Sequence, residues 1–212
     1  MVFFTQCLSV SIPASCKFAL PSKGRLSQPA LQWLTATGIN VSRNERELSC
    51  TAGSSKVFFA RAADVPRLVE SGAVDFGITG MDLLRESALQ LYYCRLPFGN
   101  CRLSVAVPLQ SNISSLSQLD GKVVATSFPW VTKYFFGDLG IDVSILELVG
   151  SVEAACELGL AQAIVDLVST GETLRKNRLA ELCVVLESQA VLCFKRGEFD
   201  AGRFFERARK KA

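Results

Sequence analysis

Short apolar runs alternate with longer amphipathic stretches along most of this chain. Lys17-Phe18-Ala19-Leu20 predicts a short strand that ends at Pro21-Ser22-Lys23-Gly24. A helix follows from about Gln28 to Thr37, with Ala30, Leu31 and Leu34 on one face and Gly38 as its stop. Val57 to Ala60 reads as the next strand. Asp64 is placed to cap a helix through Val65, Leu68 and Val69, with Pro66 in the first turn, and Gly72 ends it. Val74 to Thr79 predicts a strand closing at Gly80, and Asp82 caps a short helix beyond it.

The pattern restarts after Phe98-Gly99-Asn100. Strands are expected at Arg102–Pro108, Lys122–Thr126, Val143–Val149 and Ala163–Val168. Helices are expected at Ser117–Asp120, Trp130–Leu139, Val152–Leu158 and from Thr173. Val184–Leu186 and Ala190–Lys195 are late strands, and Glu198–Lys211 reads as a final helix. Strands separated so regularly by helices predict an α/β architecture with mixed, mostly parallel sheets. Two lobes are expected: 1–98 with 188–212, and 99–187, with residues 1–14 as an N-terminal extension. A cleft between such lobes is the expected ligand site.

Composition narrows the chemistry. The net charge is only +3, and the one cationic run lies in the last six residues, so nucleic-acid binding has little electrostatic support. No stretch approaches the ~20 apolar residues of a membrane span. The apolar, Ser-rich start lacks the positive region of a secretory signal. Eight cysteines occur without a CxxC pair, mostly in apolar surroundings, which points to buried thiols in a reducing cytoplasm. Histidine is absent altogether. That excludes Ser-His-Asp and Cys-His chemistry and a histidine general base, and it leaves zinc without its usual nitrogen ligand. Carboxylates, Arg/Lys, hydroxyls, backbone amides or a metal must carry any reaction.

The most informative segment is Ala163-Ile164-Val165-Asp166-Leu167-Val168-Ser169-Thr170-Gly171-Glu172-Thr173-Leu174. An apolar strand runs straight into a Ser-Thr-Gly-x-Thr turn and then a helix. A phosphate there would meet backbone N–H groups at the helix start, with hydroxyls from Thr170 and Thr173. Gly171 permits a positive φ and close approach of the backbone. Asp166 is placed to accept from ribose hydroxyls or from waters on Mg²⁺. The alternative is a simple capped strand-to-helix turn, because short Ser/Thr/Gly turns are common.

The neighbours make the pattern more specific. Ser169-Thr170-Gly171-Glu172-Thr173 resembles the phosphoribosyl-pyrophosphate loop of the ATP phosphoribosyltransferases. Gly150-Ser151-Val152-Glu153 resembles that family's Gly-Ser-x-Glu helix start, and Gly159-Leu160-Ala161 leads into the loop. Leu20-Pro21-Ser22-Lys23-Gly24-Arg25-Leu26 resembles its first strand-to-helix turn. Arg61 to Pro66, Gly72 to Gly80 and Asn177 fit in the same order. Gln162 and Cys156 depart from the pattern, which has Asp and commonly Pro there; Gln162 is expected to remove a charge near the loop.

The resemblance implies two lobes like those of type II periplasmic-binding proteins. It implies transfer of a phosphoribosyl group to N1 of ATP with release of pyrophosphate. It implies Mg²⁺ held through the substrate, with no direct protein ligand. It also implies the short form of the enzyme, since the chain ends soon after its late strands. Such a form is a homo-dimer within a hetero-oligomer whose regulatory subunit is similar to histidyl-tRNA synthetase.

Roles follow for named residues. Arg25 and Lys23 are candidates for the pyrophosphate, and Arg25 leads because its fork binds phosphate bidentately; Arg46, before Leu48, resembles another arginine of that family that faces the cleft and is a further catalytic candidate. Gly150, Ser151, Glu153, Asp166, Ser169, Thr170, Gly171, Glu172 and Thr173 are candidates for phosphoribosyl pyrophosphate. Asp75, Thr79 and Gly80 are candidates for ATP at a strand end, and Thr126-Ser127-Phe128-Pro129 for framing the sugar. A solvated loop around Arg43–Glu47, turn and cap duty for Asp75 and Thr79, and a dipole-favoured carboxylate at Glu153 are the plainer readings of the same residues. Two rival functions stand: a two-lobed solute-binding protein without catalysis, and a phosphoribosyltransferase for another base. The latter usually carries two adjacent acids before the turn, whereas Asp166 has no acidic neighbour.

Overall fold

Residues 15–42 and 47–195 are described by a computed structural model. The N-terminal extension, Arg46 and the expected helix at Glu198–Lys211 lie outside the described residues. Two compact units divide the chain, Met1–Gly99 with Gln189–Ala212 and Asn100–Ser188.

The first unit is built on a six-stranded mixed sheet. Its strands are β1 (Lys17–Pro21), β2 (Ser49–Ala52), β3 (Ser55–Ala60), β4 (Phe76–Gly80), β5 (Tyr92–Arg95) and, from the end of the chain, Ala190–Phe194. Two neighbours, β3 and β4, flank β1, both parallel to it. That central position explains the unbroken run Phe18-Ala19-Leu20, in which every side chain is buried. Three helices serve this sheet: α1 (Ser27–Ala36), α2 (Val65–Glu70) and α3 (Met81–Glu86). Ala30 and Leu34 of α1 join Phe18, Leu20, Val57 and Ile78 in the core, as the helical spacing predicts, while Leu31 is only half-buried.

Two expected caps are not caps. Asp64 has helical backbone angles (φ −86°, ψ −20°) and makes no side-chain capping bond. The extended residue before α3 is Gly80, so Asp82 falls inside the first turn.

The second unit carries β6 (Cys101–Pro108), β7 (Val123–Thr126), β8 (Ser144–Glu147), β9 (Ala163–Val168) and β10 (Leu179–Ser188); the last strand of the first unit, Ala190–Phe194, is then β11. The order is β10-β6-β9-β7-β8. Strands β7, β8 and β9 run parallel, whereas β6 and β10 are antiparallel additions. Helices α4 (Pro129–Asp138), α5 (Ala154–Glu157) and α6 (Glu172–Lys176) connect them. Val152, Ala155 and Leu174 cover Ile164 and Val168 on one face of β9.

Residues 179–188 form one ten-residue strand where the pattern suggested only Val184–Leu186. Register shifts at Glu181/Cys183 and Val184/Leu186 break its alternation, and pairing with β6 holds it extended regardless. Bulges of this kind also blunt an exposed sheet edge.

Candidate active site

In the second unit, β7, β8 and β9 point their carboxyl ends to one edge of the sheet, where ligands bind in open α/β sheets. The chain leaves β9 at Val168 and reaches α6 through Ser169-Thr170-Gly171. Gly171 is left-handed, with φ +74°. A side chain there would find room, its nearest neighbours being Arg175 Nη1 at 3.6 Å and Val168 Cγ1 at 4.0 Å. Backbone conformation, not crowding, therefore selects glycine; any other residue would be strained by about 1–2 kcal/mol.

Ser169, Thr170, Glu172 and Thr173 are all exposed around that turn. The Glu172 N–H donates to Thr170 Oγ1 at 3.4 Å. Arg175 folds back, and its Nη1 donates to the Thr170 carbonyl at 3.5 Å. This puts a cation beside the turn that sequence reasoning missed; its position four residues after Gly171, one helical turn on, was the available signal. The helix α6 is five residues long, so its dipole is short and the hydroxyls and Arg175 matter more. Glu172 turns its carboxylate to Lys176 at 2.7 Å in solvent, so only its backbone serves the loop. Asn177 donates from Nδ2 to the Thr173 carbonyl at 2.9 Å and closes the end of α6.

Two carboxylates lie at the same edge. Asp166 alternates with buried Ile164 and Val168 on the face covered by Val152 and Ala155. Burial pushes its carboxyl up to about 6, a backbone hydrogen bond at Leu167 pulls the other way, and the charge of Glu153 adds to the rise. Glu153 stands before α5 without a side-chain capping bond, so its carboxylate is not taken up by the helix start. Gly150 (φ +89°) and Ser151 (φ +49°) turn the chain from β8 into that helix. The carbonyl of Ser151 accepts the Ala154 N–H at 3.1 Å.

Two readings of this unit need correction. Gln162 lies at the amino end of β9, and its side-chain oxygen accepts the Val123 N–H at 3.1 Å. A six-residue strand separates it from the loop, roughly 20 Å at the usual rise, so it removes no charge there. Thr126 is fully buried and bonded internally, donating to the Val165 carbonyl at 2.8 Å and accepting the Phe128 N–H at 2.9 Å. Its hydroxyl is not available to a sugar.

In the first unit, β1, β3 and β4 also share a carboxyl edge. Lys23 and Arg25 sit in the turn between β1 and α1, and Lys23 is exposed. Arg25 donates from Nη1 to the Gly99 carbonyl at 2.5 Å and from Nη2 to Asp82 Oδ1 at 3.3 Å. Thr79 is buried and donates to the Ala62 carbonyl at 2.7 Å, which ties β4 to the turn before α2. Gly80 begins α3 at the same edge. Asp75 lies at the other end of β4, where its carboxylate accepts the Lys17 N–H at 2.6 Å. That geometry ties β1 to β4 and takes Asp75 away from the carboxyl edge.

Among the described residues, no group of three or more His, Cys, Asp or Glu could hold a metal ion. No helix of the described residues is long and apolar enough to cross a membrane.

Fold and site together define a two-unit α/β protein with a left-handed glycine turn, rich in exposed hydroxyls, at the carboxyl edge of its second sheet. The family model described as HisG, ATP phosphoribosyltransferase, matches residues 61–208. The ATP phosphoribosyltransferase of Methanopyrus kandleri is 44% identical over 82% of this chain and 63% of its own length. That of Pyrococcus furiosus is 42% identical over 85% of this chain and 88% of its own. The chain belongs to the ATP phosphoribosyltransferase family, glycosyltransferases of the first step of histidine biosynthesis.

Among solved structures, an ATP phosphoribosyl transferase (HisG:HisZ) complex from Thermotoga maritima is similar, with a TM-score of 0.77 and 28% identity over 92% of this chain and 94% of that one. Tv2483 bound to L-arginine has a TM-score of 0.60 at 14% identity over 91% of this chain and 81% of that one. The second likeness shows the fold alone: the architecture is shared with periplasmic-binding-protein-like folds.

Proposed function

We propose that this chain transfers the phosphoribosyl group of phosphoribosyl pyrophosphate to N1 of ATP and releases pyrophosphate. The observation that carries the proposal is the Gly171 turn, its hydroxyls exposed at the carboxyl edge of β9 beside Asp166 and Glu153. The transferred carbon becomes cationic as negative charge builds on the leaving pyrophosphate, so catalysis is mainly positioning and charge neutralisation. Backbone N–H groups of residues 170–173 and the hydroxyls of Ser169, Thr170 and Thr173 hold a phosphate of the substrate. Asp166 and Glu153 accept from the ribose hydroxyls. Arg25 and Lys23 neutralise the pyrophosphate. Adenine N1 is itself the nucleophile, so no side chain need attack, which suits a chain without histidine.

Magnesium, when bound on the pyrophosphate, supplies charge neutralisation of the leaving group. Asp166, whose carboxyl is raised by burial and further by the charge of Glu153, is placed to accept from waters on such a cation. No ATP contact is assigned to Thr79, Gly80 or Asp75: the first two are buried in β4 and paired with β11, and Asp75 stands at the other end of the strand. The likeness to the Thermotoga complex supports a hetero-oligomer with a HisZ-like regulatory subunit; a homo-dimer of this chain within it and a cytoplasmic setting complete the proposal.

Release of pyrophosphate from ATP plus phosphoribosyl pyrophosphate, with formation of phosphoribosyl-ATP followed by absorbance, tests the proposal with and without a regulatory subunit. Binding with no pyrophosphate released under either condition would favour the solute-binding reading. Thr173→Ala is expected to weaken phosphoribosyl-pyrophosphate binding by about 1–3 kcal/mol, the loss of one donor to a charged group. Isothermal titration checks this, and unchanged affinity would remove Thr173 from the phosphate site.

A further inference from the structure

The Asp82 carboxylate is 1% exposed, and Arg25 beside it is 32% exposed. A carboxylate so deeply buried is costly unless something charged or hydrogen-bonding meets it. Its placement is enforced by the chain: a side chain at Gly80 would come within 2.1 Å of Asp82 Oδ1. Glycine at 80 thus leaves the room this carboxylate occupies as it reaches the neighbouring strand-to-helix turn. There it accepts from Arg25 Nη2, while the Gly99 carbonyl accepts from Nη1. A guanidinium has five N–H donors. With two of them so used, Nε–H and one hydrogen on each terminal nitrogen remain for an anion.

We propose that Asp82, with the Gly99 carbonyl, is a positioning residue that fixes the Arg25 fork in the orientation needed at the pyrophosphate; this rests on the assignment of Arg25 to that group. Two anchors on different segments, α3 and the turn before β6, leave the guanidinium one plane and one rotation. The side chain is ordered before substrate arrives, so little is lost in binding and the alignment acts on the transition state. Because the alignment acts on charge that develops as the bond breaks, removing the carboxylate is expected to disturb turnover more than ground-state affinity.

The test is a double-mutant cycle on the full chain with its regulatory subunit, measuring kcat, KM for phosphoribosyl pyrophosphate and Tm. Asp82→Asn keeps the size and an acceptor oxygen but loses the charge. It is expected to lower kcat by about 10- to 100-fold, the scale of a small misalignment, with KM little changed. In an Arg25→Ala background the same substitution is expected to add almost nothing, because coupled residues are not additive. Equal losses in both backgrounds, or no loss in the single variant, would overturn the positioning role while leaving the assignment of Arg25 intact. Full activity in Arg25→Ala itself would instead remove that assignment, and the positioning role with it. Arg25→Lys, in a solvent-accessible turn, covers the case in which Asp82→Asn does not fold. An ammonium keeps the charge but not the two-anchored fork, so kcat is expected to stay well below wild type. Wild-type turnover in the Arg25→Lys variant would overturn the orientation claim.

Discussion

Arg25→Ala is expected to lower kcat by about 100- to 1,000-fold, the range for loss of one preorganised donor to developing charge. KM for phosphoribosyl pyrophosphate is expected to move far less. The reason lies in when the charge appears. In the proposed assignment a ground-state phosphate is held by the turn at Gly171, whereas the leaving pyrophosphate gains charge only as the bond to the sugar breaks. A group aimed at that gain acts on turnover. Arg25 is suited to it because it is anchored on Gly99 and Asp82, is about one-third exposed and has three N–H donors beyond the two so used. Steady-state kinetics with pyrophosphate release as the readout separate the two parameters. A rise in KM with kcat intact would mean that Arg25 holds ground state and transition state alike.

Asp166→Asn is expected to move stability and activity in opposite directions. In the folded chain burial lifts the Asp166 carboxyl from 3.8 to about 6. The folded state thus holds this proton more tightly than the unfolded chain. The stabilising contribution is complete below about pH 4 and is lost as pH rises through about 6. At pH 7.5 the ionised side chain is a cost to the fold, on the order of 1–3 kcal/mol after allowing for partial exposure. A neutral amide of the same shape removes it, so Tm is expected to rise by roughly 2–8 °C at that pH. The gain should shrink toward pH 4, where Asp166 itself is protonated. Activity is expected to fall by about 10- to 100-fold, the loss of one hydrogen bond to a charged group. Thermal melts across pH 4–8 beside a turnover assay check both halves. A destabilised variant at pH 7.5 would show that the carboxylate is satisfied in the fold and contradict the burial argument. Retained strain of this kind is common where activity and stability compete.

The legible parts of the chain were those where local pattern and tertiary role agree. Phe18-Ala19-Leu20 and Ala163-Ile164-Val165 are unbroken apolar runs because β1 and β9 are buried between two neighbours each. The Gly171 turn was legible because a left-handed backbone demands glycine and leaves that mark in the sequence. Two edge strands of the first sheet were not: β2 is Ser-Cys-Thr-Ala and β5 is Tyr-Tyr-Cys-Arg, without the aliphatic pairs that mark the equally short β7 and β8. Side-chain partnerships between distant segments were also hidden. Asp82 reads as a helix cap from its neighbours alone, yet it meets Arg25 57 residues away. Asp75 reads as a strand-end ligand, but it stands at the amino end of β4, away from the carboxyl edge, and accepts from Lys17. Gln162 is close to the loop in sequence and lies a full strand from it in space.

A crystal structure of the chain with phosphoribosyl pyrophosphate and Mg²⁺ bears most directly on the assignment of the Gly171 turn. A phosphate is expected within about 3 Å of the backbone nitrogens of residues 170–173, with Thr173 Oγ1 donating to it and Asp166 near the ribose hydroxyls. Ligand bound with that turn bare, or with Asp166 far from the sugar, would contradict it.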